Sequence, residues 1–230
     1  MTLAAFEQLE ALTAVEIVDH VLTNSCGKAT ITCSFQAEDM VVLHLLRQRL
    51  PDIPVVFLDT GYHFRETYAY RDKIAKTLGL KLVNAEALQS VAEQESQFGI
   101  LNQTDPSRCC QLRKVEPLMR TLQVYDIWFT GLRREQSPTR RNLKPVEQHA
   151  LPTGKVLLKV SPLAAWDWNQ VWSYTVEHSI EYLPLYDLGY RSIGCEPCTS
   201  IPSPDADPRS GRWGGVKLEC GIHTFSKREG

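Results

Sequence analysis

Short apolar strands alternate with stretches of helical length along the first 130 residues, and this alternation limits the possible folds more than any other feature. Strand-like runs begin at Ala29, Pro54, Leu80 and Tyr125, and each of the first three is followed by a turn and a helical segment. Apolar strands separated by helices are typical of a parallel sheet that is covered on both faces. The sequence therefore predicts an α/β protein with a mainly parallel sheet and helices on both faces.

The chain is long enough for one sizeable core, since it has 230 residues of which 43% are hydrophobic. We expect a single domain over residues 1–200, with a hairpin over residues 146–160 as its last strands. Residues 201–215 contain three prolines and three glycines, which favour turns over regular structure. Residues 201–230 are therefore predicted to form a mobile C-terminal segment.

Charge and hydropathy exclude several classes of partner. The chain has 25 Lys and Arg against 27 Asp and Glu. Its net charge of −2 therefore does not indicate a basic surface that would bind nucleic acid or an anionic membrane. It has neither a secretory signal nor an apolar run of about 18 residues. We expect a cytoplasmic protein, in which seven cysteines serve metal binding or catalysis rather than disulfides.

Two pairs of cysteines indicate a metal site. Cys109 and Cys110 are adjacent in a predicted helix over residues 107–122, and Cys195 is separated from Cys198 by two residues. Either pair alone is compatible with buried core thiols, but two pairs in a reducing compartment favour a four-cysteine centre, for which zinc is the generic choice. Consecutive helical side chains diverge by about 100°, so one centre bound by both tandem cysteines requires a local distortion of the helix.

The ends of the predicted strands carry the other candidate residues. Ser34, residues 59–61 and Gly131 each follow a strand. In open α/β sheets, ligands bind at the carboxyl ends of the strands, so these residues are expected to converge on one crevice.

Several motifs together resemble the assimilatory adenylyl-sulfate reductases of the phosphoadenylyl-sulfate reductase family. These are residues 34–39, 58–61 and 133–138, both cysteine pairs and residues 219–223, and the resemblance covers the chain from about residue 30 to residue 223. It implies an adenine nucleotide α-hydrolase-like fold. It also implies that Cys109, Cys110, Cys195 and Cys198 bind one 4Fe-4S cluster.

The resemblance further implies thiol-dependent reduction of adenylyl sulfate to sulfite and AMP in sulfate assimilation. Cys220 is the expected nucleophile, and an S-sulfonated Cys220 is the expected intermediate. Thioredoxin or glutaredoxin is the implied electron donor, and a homo-oligomer is compatible with the sequence. The planar guanidinium group of arginine matches the geometry of an oxyanion. The implied substrate-binding residues are Ser34, Leu58, Thr60, Gly61, Lys114, Gly131, Arg140, Arg209, Arg212 and His223.

Three alternatives remain open. The first is reduction of 3′-phosphoadenylyl sulfate or of both nucleotides, and the second is a zinc-stabilised nucleotide-binding protein without catalysis. The third, an ATP pyrophosphatase, is disfavoured by the loop after the first strand, where Phe35 and Gln36 replace the two glycines of the pyrophosphate-binding motif. Loss of glycine limits close backbone approach, so the loop suits a smaller anion than a triphosphate.

Overall fold

A six-stranded sheet forms the centre of the molecule in a computed structural model, which describes residues 9–215, 217 and 219–222. The strand order is β3-β2-β1-β4-β6-β5, and every neighbouring pair is parallel except the β5–β6 hairpin at one edge. The strands are β1 (Ala29–Thr32), β2 (Pro54–Asp59), β3 (Lys81–Glu86), β4 (Ile127–Phe129), β5 (Val146–Ala150) and β6 (Val156–Val160). The predicted mainly parallel α/β sheet is confirmed.

Local capping determines where several helices begin and end. Thr13, Ser90 and Asp167 start three helices through reciprocal capping boxes, and Gly79 ends another in the left-handed conformation. No helix in the described ranges is both long enough and apolar enough to cross a bilayer. The helices are α1 (Ala14–Asn24), α2 (Ala37–Arg47), α3 (Arg65–Leu78), α4 (Val91–Phe98), α5 (Leu101–Thr104), α6 (Pro106–Cys110), α7 (Glu116–Leu122) and α8 (Trp168–Glu177).

Alternate residues of the central strands pack into two separate cores. Val55 and Phe57 of β2 join a core formed with α1, α2, α3 and α8. Val56, between them, points to the opposite face and joins a core with Leu118 and Leu122 of α7. Since side chains alternate along a strand, helices must cover both faces of the sheet. The prediction of helices on both faces is confirmed.

The order of the strands creates a crevice beside β1. The chain builds β1, β2 and β3 in one direction and then returns to place β4 on the other side of β1. At such a reversal the connections leave the carboxyl ends of the two strands in opposite directions, which opens a ligand-binding crevice between them. The loops that begin at Ser34 and Gly131 lie at this point.

Candidate active site

Asp39 connects the loops that follow β1 and β4. Its Oδ2 accepts hydrogen bonds from the backbone N and the Oγ of Ser34, at 2.7 and 2.6 Å, and its Oδ1 accepts one from the backbone N of Gly131 at 3.1 Å. A Cβ at Gly131 would lie 2.4 Å from Oδ1, so this contact requires glycine. Burial raises the pKa of Asp39 to about 6, and the charge of Glu38 adds to the shift.

The loop after β1 keeps a glycine-like conformation without glycine. Phe35 has a φ of 60°, in the left-handed region that costs an ordinary residue about 1–2 kcal/mol. Its ring is buried, with centroids 5.9 Å from Phe57 and 6.3 Å from Tyr70. Burial of an aromatic side chain outweighs the backbone strain, so packing stabilises the turn that glycine would otherwise supply.

A cavity of about 630 Å³ opens at this crevice. That volume is typical of sites for nucleotide-sized ligands. Its lining includes Val56, Phe57 and Leu58 of β2 and several basic side chains. The predicted residues that line the cavity are Ser34, Leu58, Lys114, Gly131, Arg140, Arg209, Arg212 and Cys220.

Arg212 offers a buried donor to this cavity. Its Nε is buried and has no hydrogen-bond partner among the described residues, and its guanidinium stacks 4.4 Å from the Trp213 ring centroid. Gly194 lies directly against it, because a Cβ there would come 2.0 Å from Arg212 Nη2. An unpaired buried donor is costly, and an oxyanion in the cavity would supply the acceptor.

The other two arginines bind a carboxylate from the tail of the chain. Arg140 donates from Nε and Nη2 to Glu219 Oε1 and Oε2, at 2.9 and 2.8 Å, and Arg209 Nη2 lies 3.7 Å from Oε2. Burial alone would raise the pKa of Glu219, but the hydrogen bond and charge of Arg140, with the charge of Arg209, hold it below its usual value. The carboxylate therefore stays ionised beside the arginines.

Cys220 and Lys114 both line the large cavity. Cys220 lines the large cavity and packs partly against the core that contains Val115 and Ile222. Lys114 is buried and lines both the large cavity and a smaller one. Burial opposes its charge, but the thiol groups of Cys195 and Cys220 outweigh this and raise the pKa of Lys114. An ammonium is thus maintained beside the predicted nucleophile.

The smaller cavity is lined by all four paired cysteines, namely Cys109, Cys110, Cys195 and Cys198. Helix α6 presents the first pair, and directly after it the chain passes into a π-helical turn over Gln111–Val115. A π turn contains one residue more than an α turn and is frequent at functional sites. The distortion predicted for a tandem pair is found beside it.

The end of β2 positions the second pair. Cys195 forms an isolated antiparallel bridge with His63, and Thr60 Oγ1 lies 3.3 Å from Cys195 Sγ. The turn then closes with a hydrogen bond of 3.0 Å from Cys198 N to Cys195 O. Beyond it, Thr199 bridges to Arg212. Backbone pairing therefore connects the segment directly after the cysteine turn to the arginine of the large cavity.

The four thiols influence one another electrostatically. Burial raises the pKa of Cys109 to about 12, with contributions from Cys110, Cys195 and Cys198. Clustered thiolates repel one another, and a bound cationic centre reverses this effect. Among the described residues, no group of three or more His, Cys, Asp or Glu side chains is arranged to hold a single metal ion.

Comparison with known proteins identifies the family. Residues 28–201 match the phosphoadenosine phosphosulfate reductase domain. The chain belongs to the phosphoadenosine phosphosulfate reductase family. Adenosine 5′-phosphosulfate reductases of Rhodococcus opacus and Streptomyces coelicolor are similar to this reductase-family chain. The first is 49% identical, covering 81% of this chain and 75% of its own. The second is 43% identical, covering 95% and 92%.

Solved structures support the same fold. The phosphoadenylyl-sulfate reductase of Candida auris, solved as a phosphate complex, has a TM-score of 0.71 and 25% identity, covering 85% of this chain and 96% of its own. The FMN adenylyltransferase of Candida glabrata, at 16% identity, has a TM-score of 0.61 and covers 84% of this chain and 66% of its own. The expected family and the nucleotide-binding α/β fold of this reductase-family chain are confirmed.

Two of the predicted substrate residues of this reductase-family chain lie away from the large cavity. Thr60 lines the cysteine cavity, and its carbonyl accepts a hydrogen bond from Arg113 Nε. Gly61 lines neither cavity, and a Cβ there would lie 2.7 Å from Val91 Cγ2. His223 lies outside the described residues. The roles of all these residues stay predictions.

The structure adds cavity residues to which the sequence analysis gave no role. Arg133 forms a buried ion pair with Glu38 at 3.0 Å. His63 hydrogen-bonds the Leu58 carbonyl at 2.8 Å, and burial lowers its pKa to about 4. Glu219, which does not line the cavity itself, binds the cavity residue Arg140. Its position directly before the predicted nucleophile is the sequence signal that could have indicated it.

Proposed function

We propose that this chain reduces adenylyl sulfate to sulfite and AMP in sulfate assimilation, with electrons from a dithiol protein. The observation that carries the proposal is the position of Cys220, which shares one nucleotide-sized cavity with Lys114 and with the unpaired Nε of Arg212. A nucleophile, cations and space for a nucleotide are what this reaction requires. The names of the relatives at 43–49% identity support the same substrate.

In the first step, the Cys220 thiolate attacks the sulfur of the sulfonate group. The new Sγ–S bond forms as the bond from sulfur to the bridging oxygen breaks, and AMP leaves with that oxygen. Negative charge grows on the departing phosphate, where Lys114 and Arg212 would stabilise it. The other substrate-binding residues that we assign are Ser34, Leu58, Thr60, Gly61, Gly131, Arg140, Arg209 and His223.

In the second step, one thiolate of reduced thioredoxin or glutaredoxin attacks Sγ of the S-sulfonated cysteine and releases sulfite. The second thiol of the donor then attacks the mixed disulfide, which regenerates Cys220 and leaves the donor oxidised by two electrons. Such donors are kept reduced in the cytoplasm, where we place the protein. Residues 201–230 would carry the thiol between the domain formed by residues 1–200 and the donor.

The four paired cysteines fit a 4Fe-4S cluster. They line one cavity, the tandem pair is followed by the π turn, and two buried cations, Arg113 and Lys114, adjoin them. Four cysteines are a usual ligand set for a 4Fe-4S cluster and also for structural zinc, so iron and acid-labile sulfide content distinguishes the two centres. When bound, the cluster would supply electrostatic tuning and hold the two cysteine segments together.

Two measurements on protein purified without oxygen test the proposal. Iron and acid-labile sulfide should each approach four per chain, as expected for one 4Fe-4S cluster. Sulfite should be released from adenylyl sulfate with reduced thioredoxin, and Cys220→Ser should abolish this release while Cys26→Ser, an exposed cysteine outside both cavities, should not. Iron-free protein would contradict the cluster, and sulfite release by Cys220→Ser would contradict the mechanism.

The choice of nucleotide needs a separate comparison. The Candida auris protein named for the 3′-phosphorylated nucleotide is 25% identical, against 43–49% for the relatives named for adenosine 5′-phosphosulfate. We therefore expect kcat/KM to be higher for adenylyl sulfate than for its 3′-phosphorylated form. A higher value for the phosphorylated nucleotide would reverse this assignment.

A further inference from the structure

We propose that Glu219 is a positioning residue, which holds Cys220 in the cavity by binding Arg140 and Arg209 and competes with the nucleotide's anionic group for the same two side chains. The inference rests on the proposed function only for the identity of the nucleotide. The contact itself joins residues 79 positions apart in the described part of the chain.

The geometry of the contact marks it as more than a surface ion pair. Both carboxylate oxygens of Glu219 are used by Arg140, and Thr139 Oγ1 donates a third hydrogen bond to Oε1 at 3.0 Å. The side chains of Glu219 and Arg140 are each only 11% exposed. Exposed pairs contribute little because water screens them, whereas a bidentate pair with restricted solvent access is strong and directional.

The same atoms are those that a nucleotide would need. An oxyanion binds arginine best through two parallel N–H groups, and Arg140 already commits Nε and Nη2 to Glu219 and Nη1 to Gln136. Burial and the neighbouring charge of Arg140 lower the pKa of Arg209, so this pair of like charges is stabilised by one anion between them. Two anions cannot bind the same N–H groups of one guanidinium at the same time.

Competition at the arginines acts on the thiol because Glu219 and Cys220 are consecutive. Their Cα atoms are about 3.8 Å apart across a trans peptide, so a fixed carboxylate keeps the thiol inside the cavity. Arg212 lines the same cavity, and its Nε has no hydrogen-bond partner among the described residues. A nucleotide can therefore bind first at Arg212 and then displace Glu219 from Arg140, which gives the segment the freedom to bring Cys220 to the sulfonate sulfur.

Titration of the holoprotein with AMP tests the competition. If Glu219 occupies the arginines in roughly nine molecules of ten, only the remaining tenth binds directly, and Glu219→Gln should lower the AMP Kd by about tenfold. Glu219→Asp keeps the charge on a shorter stem and should give an intermediate Kd. Glu10→Gln removes a carboxylate paired with Arg134, away from the cavity, and should change nothing. An unchanged or higher Kd in Glu219→Gln, or no AMP binding by any variant, would overturn the competition.

Alkylation of Cys220 by iodoacetamide, followed by peptide mass spectrometry, tests the positioning role. Without nucleotide, Glu219→Gln should react several-fold faster than the wild type. AMP should accelerate the wild-type reaction and leave the Glu219→Gln rate unchanged. Equal rates without nucleotide, or protection by AMP, would overturn the proposal. Neither measurement needs sulfite formation, so both can succeed even when the proposed reductase activity fails.

Discussion

At the scale of single residues, the candidate site depends on close packing around Arg212. Gly194 is conformationally ordinary, yet a side chain there would occupy the space of the Arg212 guanidinium. The glycine is therefore required by the arginine's position and not by a turn. This kind of requirement gives a direct test of whether Arg212 binds the nucleotide.

Gly194→Ala should weaken AMP binding by about tenfold, or about 1.4 kcal/mol, because the added methyl group displaces the Arg212 guanidinium. Isothermal titration calorimetry measures the Kd. If the glycine acts only through the arginine, the double variant Gly194→Ala with Arg212→Ala should bind AMP no more weakly than Arg212→Ala alone. Additive losses would show that Gly194 serves another purpose.

The sequence predicted which residues would line the cavity better than it predicted their partners. Ser34, Gly131 and the three arginines lie where the motifs and strand ends indicated. Their contacts are long-range, and local periodicity carries no information about them. Arg140 was expected to meet substrate, but its partner in this structure is a carboxylate from the other end of the chain.

At the scale of elements, the strands and most helices follow from apolar runs and turn residues. The helix predicted over residues 107–122 differs, because it comprises α6, the π turn and α7. The buried residues of this segment still recur at helical spacing, so the sequence pattern does not reveal a single inserted residue. Only the expectation that two adjacent cysteines bind one centre indicated that the helix had to be distorted.

Removal of Gln111 should convert the π turn into an α turn and prevent binding of the proposed cluster. Gln111 is exposed, so its loss leaves the core intact but rotates Cys109 and Cys110 by about 100° relative to the helix that follows. Iron and sulfide per chain should fall severalfold, while circular dichroism stays unchanged. Gln111→Ala is the matched control and should retain iron. Normal iron content after the deletion would mean that the π turn is unnecessary for the site.

At the scale of the whole molecule, strand order decides which loops meet. The alternation of strands and helices predicts a parallel sheet, but it does not state that β4 lies beside β1. That neighbour relation brings Gly131 to Asp39 and completes the crevice. Asp39 therefore joins two segments whose meeting depends on the complete topology.

The pH dependence of stability should report on Asp39. Its pKa is raised from 3.8 to about 6 in the folded protein, so folding favours the protonated carboxyl. The resulting stabilisation is fully present below about pH 4 and is lost as pH rises through 6, which amounts to about 2–3 kcal/mol. Asp39→Asn cannot titrate there. Chemical unfolding of both proteins should show their difference in free energy changing across this range, and a constant difference would refute the assignment.

The bridge between Thr199 and Arg212 has a thermodynamic consequence. It makes the turn that carries Cys198 and the segment that carries Arg212 parts of one hydrogen-bonded unit. Two ligands that order the same unit assist each other equally, since linkage is reciprocal. Nucleotide binding should therefore raise the affinity for the proposed cluster by the same factor by which the cluster raises the affinity for nucleotide.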